Sequence, residues 1–173
     1  MRIAAFEVDP RDDGAFLAAW ERARRAGGGA LQRALREDAD FRFVELGGAE
    51  PVGDLPYRTH GGEYEVARED RTPDIAGGVL LINPFEVPAG ADDRFLAGWD
   101  RARAVLAQQQ GYIGTRLHRS VAPASFRFVN LARWSSPLMF SRALARPEFA
   151  QAAQAIPFAS HPALYLPVAE SEP

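Results

Sequence analysis

The feature that most constrains this chain is that it repeats itself. Phe6-Glu7-Val8, Asp13, Phe16-Leu17-Ala18, Trp20 and Arg22-Ala23-Arg24 recur 79 positions later as Phe85-Glu86-Val87, Asp92, Phe95-Leu96-Ala97, Trp99 and Arg101-Ala102-Arg103, without a gap. Farther on, Phe41-Arg42-Phe43-Val44 with Leu46 recurs at an offset of 85 as Phe126-Arg127-Phe128-Val129 with Leu131. Matches spread over aromatic, acidic and basic positions mark a tandem duplication. Whatever one half folds into, the other must approximate.

Each half opens on a predicted strand, Ile3 to Val8 or Leu80 to Val87, ended by Pro10 or Pro88. A helix follows, with Asp12 or Asp13 and Asp92 or Asp93 as N-caps. Phe16, Leu17, Trp20 and Ala23 share one helical stripe, and Phe95, Leu96, Trp99 and Ala102 repeat it. Gly27-Gly28-Gly29 stops the first helix and Gly111 the second. Two strands come next, Ala30 to Arg36 and Asp40 to Leu46, then Tyr112 to Arg119 and Ser125 to Trp134. In the second half Ser135-Ser136-Pro137 opens a further helix reaching Ala155, bent at Pro147, and a strand from His161 to Val168 closes the unit. The first half lacks that helix, because Gly47 to Pro56 is a turn-rich loop leading into Tyr57 to Ala67. The predicted fold class is therefore α+β, built from two ferredoxin-like repeats. Residues 1–68 are an abridged repeat without its second helix, 69–78 a linker with Pro73 and Gly77-Gly78, and 79–173 a complete repeat.

Composition excludes several function classes. Zero cysteines remove disulfides, thiolate nucleophiles and Cys-based metal sites. All 20 cationic residues are arginine, the net charge is -3, and no basic cluster stands out, which argues against nucleic acid and anionic membranes as partners. No apolar run reaches membrane-spanning length, so a cytoplasmic protein is expected. His60, His118 and His161 lack metal-ligand spacing, so no metal is expected, and the glycine pairs match neither nucleotide-binding pattern. The expected partner is a small molecule or another protein.

The stretch from Phe126 to Trp134 is the candidate site. Period-2 alternation places Phe126, Phe128, Asn130, Ala132 and Trp134 on one face, so an amide and an indole share an apolar wall suited to a flat organic ligand. Plain structural roles compete: Asn130 satisfying a backbone group, Trp134 capping the core. By the same alternation His118 falls with Tyr112, Gly114 and Arg116, opposite Ile113, Thr115 and Leu117. It then edges the pocket or faces solvent. Trp99 belongs to the half carrying the candidate site and is divided between core packing and pocket lining, whereas Trp20 reads as core.

Gly111-Tyr112-Ile113-Gly114-Thr115-Arg116-Leu117-His118, Val129-Asn130-Leu131-Ala132-Arg133-Trp134 and His161-Pro162-Ala163-Leu164-Tyr165 together resemble the antibiotic biosynthesis monooxygenase family of dimeric α/β barrels. The resemblance covers residues 79 to 168 and implies that the fused repeats form within one chain the barrel that relatives make by dimerisation, with a further homodimer possible on top. It also implies a monooxygenase working without cofactor, which oxidises an aromatic polyketide or similar phenolic substrate towards a quinone with O2. By resemblance the catalytic pair falls on Asn130 and Trp134. A Tyr and an Arg given roles in relatives are replaced here by Phe140 and about Gln154. Phe128, Phe140, Trp99, His118 and Tyr165 are the expected substrate-binding residues, with Tyr165 standing in for the missing phenol. Alternatives are a non-catalytic partner of a polyketide tailoring complex and a cyclase. Heme degradation is disfavoured, because the ligand His of heme-degrading relatives falls on Ala153, with Asn83 the only other echo. In the first half Glu45 aligns with Asn130 and Ala49 with Trp134, so a single pocket is expected.

Overall fold

The computed structural model describes residues 1–24, 28–48, 53–71 and 77–168. The first half comprises β1 (Arg2–Glu7), α1 (Asp13–Ala23), β2 (Ala30–Ala34), β3 (Phe43–Leu46) and β4 (Arg58–Asp70). The second comprises β5 (Val79–Glu86), α2 (Asp92–Leu106), β6 (Tyr112–Ser120), β7 (Phe128–Trp134), α3 (Pro137–Leu144), α4 (Pro147–Ala153), β8 (Ala159–Ser160) and β9 (Ala163–Pro167). No helix among the described residues is long and apolar enough to cross a membrane.

Both halves set their strands in the same order, β4-β1-β3-β2 and β9-β5-β7-β6, the ferredoxin-like α+β arrangement. The junctions are reciprocal. The last strand of the first half, β4, pairs with β6, the second strand of the other half, and β9 pairs with β2 in the mirrored sense. Together with the β5–β7 pairing these ladders close an antiparallel barrel of eight strands, while β8 adds a short rung beside β9 on β5. One chain thus forms a pseudo-dimeric barrel, and closure removes the unpaired edges that two separate sheets would expose.

The repeated residues build repeated structure. Phe16 stacks on Phe43 at 4.4 Å and Phe95 on Phe128 at 4.4 Å, each pinning a helix to the outer face of its sheet. The aspartates expected to cap the helices do something else. Asp13 accepts from Arg42 Nε at 2.9 Å and Asp92 from Arg127 Nε at 3.0 Å, so each carboxylate ties the helix start to the third strand of its half. Neither helix has a side-chain cap. The same arginines donate to the carbonyls of Ala34 and Ser120, at 2.9 Å in both cases. The same Arg–Asp clamp thus holds both halves.

Inside the barrel, Ile3, Val44, Leu80, Ile82, Val129 and Leu131 pack with Phe41, Phe126, Tyr64 and Tyr165. Phe41 and Phe126 meet edge to face at 5.4 Å across the pseudo-twofold. Phe126 lies here, opposite the expected face, because the regular strand begins only at Phe128 and parity is lost before it. Each last strand sends a tyrosine to the other half: Tyr64 donates to the Phe126 carbonyl at 3.2 Å and Tyr165 to the Phe41 carbonyl at 2.8 Å. His161 joins the halves too, bonded to Asp40 and to Glu86. Burial opposes its charge, yet these hydrogen bonds raise its pKa. A Tyr165→Phe variant leaves the Phe41 carbonyl unpaired and is expected to cost about 1 kcal/mol in urea unfolding.

Three boundaries differ from expectation. The helix from Ser135 to Ala155 is two helices, α3 and α4, because Pro147 lacks the N–H that a continuous helix needs and disfavours helical backbone at Arg146. Strand β4 runs two residues into the expected linker, held by pairing of Glu69 with Arg116 and Asp70 with Thr115 beyond a bulge. Helix α1 ends at Ala23, ahead of the glycines; Gly27 lies outside the described residues, as do Pro73 and Ala49. No helix occurs among the described residues between β3 and β4.

Candidate active site

An apolar cavity of about 260 Å³ lies between the outer face of β5, β6 and β7 and the covering helices α2, α3 and α4. A larger cleft of about 910 Å³ along Pro88–Asp93 and Val121–Ser125 has no aromatic wall. Two glycines let the cover sit close. A Cβ at Gly111 (φ +87) would lie 2.4 Å from Met139 Cβ on α3, and one at Gly98 would lie 2.5 Å from the Ala155 carbonyl after α4. Phe140, Phe149 and Ile156 are thereby brought over the cavity.

Register decides which side chains face it. Asn83 pairs with Asn130, Thr115 with Ala132 and Tyr112 with Trp134, and directly opposed residues share a face. A bulge between Tyr112 and Gly114 shifts parity within β6. Tyr112 and Thr115, predicted on opposite faces, therefore both reach the cavity. His118 moves the other way: it opposes Val129, a barrel-core residue, and is 2% exposed inside the barrel. Burial, then the nearby Arg116 charge, pull its pKa down to about 4, so it is neutral at pH 7.

The cavity carries few polar groups. Thr115 donates to Asn130 Oδ1 at 2.7 Å, which engages the carbonyl end of the amide and leaves its N–H groups for a ligand. Trp134 is fully buried, with Tyr112 edge-on at 5.5 Å and Phe140 edge-on at 5.4 Å. Three buried side-chain atoms lack a hydrogen-bond partner among the described residues: Asn83 Oδ1, Trp134 Nε1 and His118 Nδ1. Two of them belong to residues lining this cavity. At one margin Asp70 Oδ2 accepts from Arg103 at 3.0 Å and from the Tyr112 hydroxyl at 3.3 Å. Burial and the Asp70 carboxylate together raise the Tyr112 pKa, keeping the phenol protonated.

Of the residues predicted from sequence, Asn130, Trp134, Trp99 and Phe140 line the cavity. Phe128 lies beyond it, stacked on Phe95, and His118 and Tyr165 face the barrel interior. The Tyr165 hydroxyl is already engaged by Phe41, so it offers no phenol here. Sequence reasoning missed Asn83, Thr115, Tyr112, Arg103 and Asp70. The Gly111-to-His118 segment carries part of the family pattern, but only the bulge shows which of its residues face the cavity.

The first half has no such amide. Glu45, at the position of Asn130, is buried; its carboxylate accepts from the Gly29 N–H at 2.8 Å and from Trp20 Nε1 at 3.4 Å. Trp20 is the repeat of Trp99, so here the indole is engaged internally.

A closed ferredoxin-like barrel with one apolar cavity on its complete half defines a dimeric α/β-barrel type of protein, contained in one chain. Residues 78–155 match the sequence model of the antibiotic biosynthesis monooxygenase family. SnoaB, a cofactor-independent oxygenase from Streptomyces nogalater, is 31% identical over 55% of this chain and 96% of its own, with a TM-score of 0.48. A candidate monooxygenase from Shewanella loihica PV-4 is 35% identical over 54% of this chain and 95% of its own, with a TM-score of 0.45. LmHde, a heme-degrading enzyme from Listeria monocytogenes, is 14% identical over 95% of this chain and 98% of its own, with a TM-score of 0.51, a likeness of fold alone. No curated protein matches the chain. The chain belongs to the antibiotic biosynthesis monooxygenase family.

Proposed function

We propose that the chain is a monooxygenase that works without metal or flavin on an aromatic polyketide or similar phenolic ketone, converting it to a quinone with O2. The observation that carries this reading is the pairing of Asn130 and Trp134 on one apolar cavity wall, with the Asn130 carbonyl already engaged by Thr115. For an anthrone the reaction balances as substrate plus O2 giving anthraquinone plus water. The substrate loses a proton to a water molecule, its carbanion passes an electron to O2, the radical and superoxide recombine as a peroxide anion at the ring carbon that takes the proton back, and loss of water from the hydroperoxide leaves the new carbonyl. The protein's part is to stabilise the enolate and exclude water. Asn130 donates to the enolate oxygen, Trp134 supplies a ring face and an indole N–H, and α3 and α4 cover the site. The first half completes the barrel.

The residues present do not fit heme. Ala153 lines the cavity at the ligand position, and none of the three histidines lines it. The test is O2 uptake by purified protein with emodin anthrone, above its rate of autoxidation. Quinone formation at one O2 per substrate is the expected result. Binding without turnover favours a non-catalytic partner, and a product without added oxygen favours a cyclase.

A further inference from the structure

The cavity belongs to the second half, yet one of its margins is held by the first. Strand β4 is 13 residues long, whereas β9, its counterpart in the repeat, has five. The added length carries Asp70 past the bulge to lie opposite Thr115. There its Oδ2 accepts from both Arg103 and Tyr112, two cavity-lining residues of the other half. The next residue, Arg71, is the one described non-glycine residue with a positive φ, at +59, a conformation that neighbouring contacts must enforce. Those contacts are present. The Arg71 guanidinium lies 5.3 Å from the centroid of the Tyr112 ring and donates to the Ala107 carbonyl after α2. Tyr112 is thus held between Arg71 and Trp134.

We infer that Tyr112 is a substrate-contacting, specificity-determining residue and that Asp70, supplied by the first half, is its positioning residue. This rests on the reading of the cavity as the site for a phenolic ketone. The argument is one of hydrogen-bond direction. A phenol has one proton, and Tyr112 donates it to Asp70, so towards the cavity its oxygen offers lone pairs only. It then accepts from a substrate hydroxyl, while Asn130 and Trp134 donate to the substrate's oxyanion. A hydroxylated substrate satisfies both ends of the site, and an unhydroxylated one only the donor end. Arg103 keeps the Asp70 carboxylate in place.

The test compares anaerobic binding of emodin anthrone, which has a phenol remote from its ketone, with that of unsubstituted anthrone, by tryptophan fluorescence. Wild type is expected to prefer emodin anthrone, and Tyr112→Phe to lose about tenfold of that preference through weaker emodin anthrone binding alone. Asp70→Ala should lose a similar factor, Asp70→Asn should keep most of it because its amide oxygen still accepts, and the Tyr112→Phe/Asp70→Ala pair should be no worse than either single change. Equal weakening of both ligands, or an unchanged preference in Tyr112→Phe, overturns the assignment and leaves the oxygenase reading standing. Wild type binding neither anthrone overturns both.

Discussion

Replacing Asn130 by Ala together with Trp134 by Phe is expected to lower kcat for anthrone oxidation by at least about a hundredfold, with folding intact. Removing one preorganised donor to an oxyanion typically costs about 10²–10³ in kcat. Asn130→Ala removes the amide donor and also leaves the Thr115 hydroxyl without its 2.7 Å acceptor. Trp134→Phe keeps an aromatic face but deletes an indole N–H that has no partner among the described residues. Because Trp134 is fully buried, the smaller ring leaves a void costing roughly 1–3 kcal/mol, to be measured by urea unfolding beside the kinetics. Thr115→Val is the informative control. It leaves Asn130 in place but frees the amide to rotate, and a fall of about tenfold is expected from the loss of orientation. Undiminished O2 uptake in the double variant would remove Asn130 and Trp134 from the mechanism.

The second large effect is an acid one, and it lies in the barrel rather than the cavity. Between pH 7.5 and pH 4, His118 alone is expected to remove about 3 kcal/mol of unfolding free energy. Its pKa falls from 6.5 to about 4 on folding, through burial first and then repulsion by Arg116. A folded-state pKa below the unfolded one means that protonation favours the unfolded chain. Stability is therefore complete above pH 6.5, declines as pH falls towards about 4, and reaches its full loss below that. The geometry agrees: Nδ1 is buried and has no hydrogen-bond partner among the described residues. Urea titrations of wild type and His118→Gln at the two pH values isolate this part, because carboxylates such as Asp92, held low by Arg127, contribute to both proteins alike. Equal acid losses in the two proteins would show that His118 does not titrate as described.

The fold was legible because its devices are local or repeated. The Phe16/Phe43 and Phe95/Phe128 stacks and the Arg42–Asp13 and Arg127–Asp92 clamps recur in both halves, since each half must fix a helix to its sheet in the same way. The repeated pattern also sets Phe43 and Phe128, which are shared, apart from Glu45 and Asn130, which are not. Asn130, Trp134, Trp99 and Phe140 could be placed because each sits in an element whose period runs undisturbed to the site.

What sequence alone determined about this protein is a repeated residue pattern, a ferredoxin-like α+β order, and one amide and one indole on a shared face. Only the tertiary structure decided the faces of Tyr112 and His118 and the arrival of Asp70 from the other half. The reason is physical. A one-residue bulge inverts every later side chain while leaving composition and spacing unchanged. A hydrogen bond between Asp70 and Tyr112, 42 positions apart, leaves no trace in the local pattern of either.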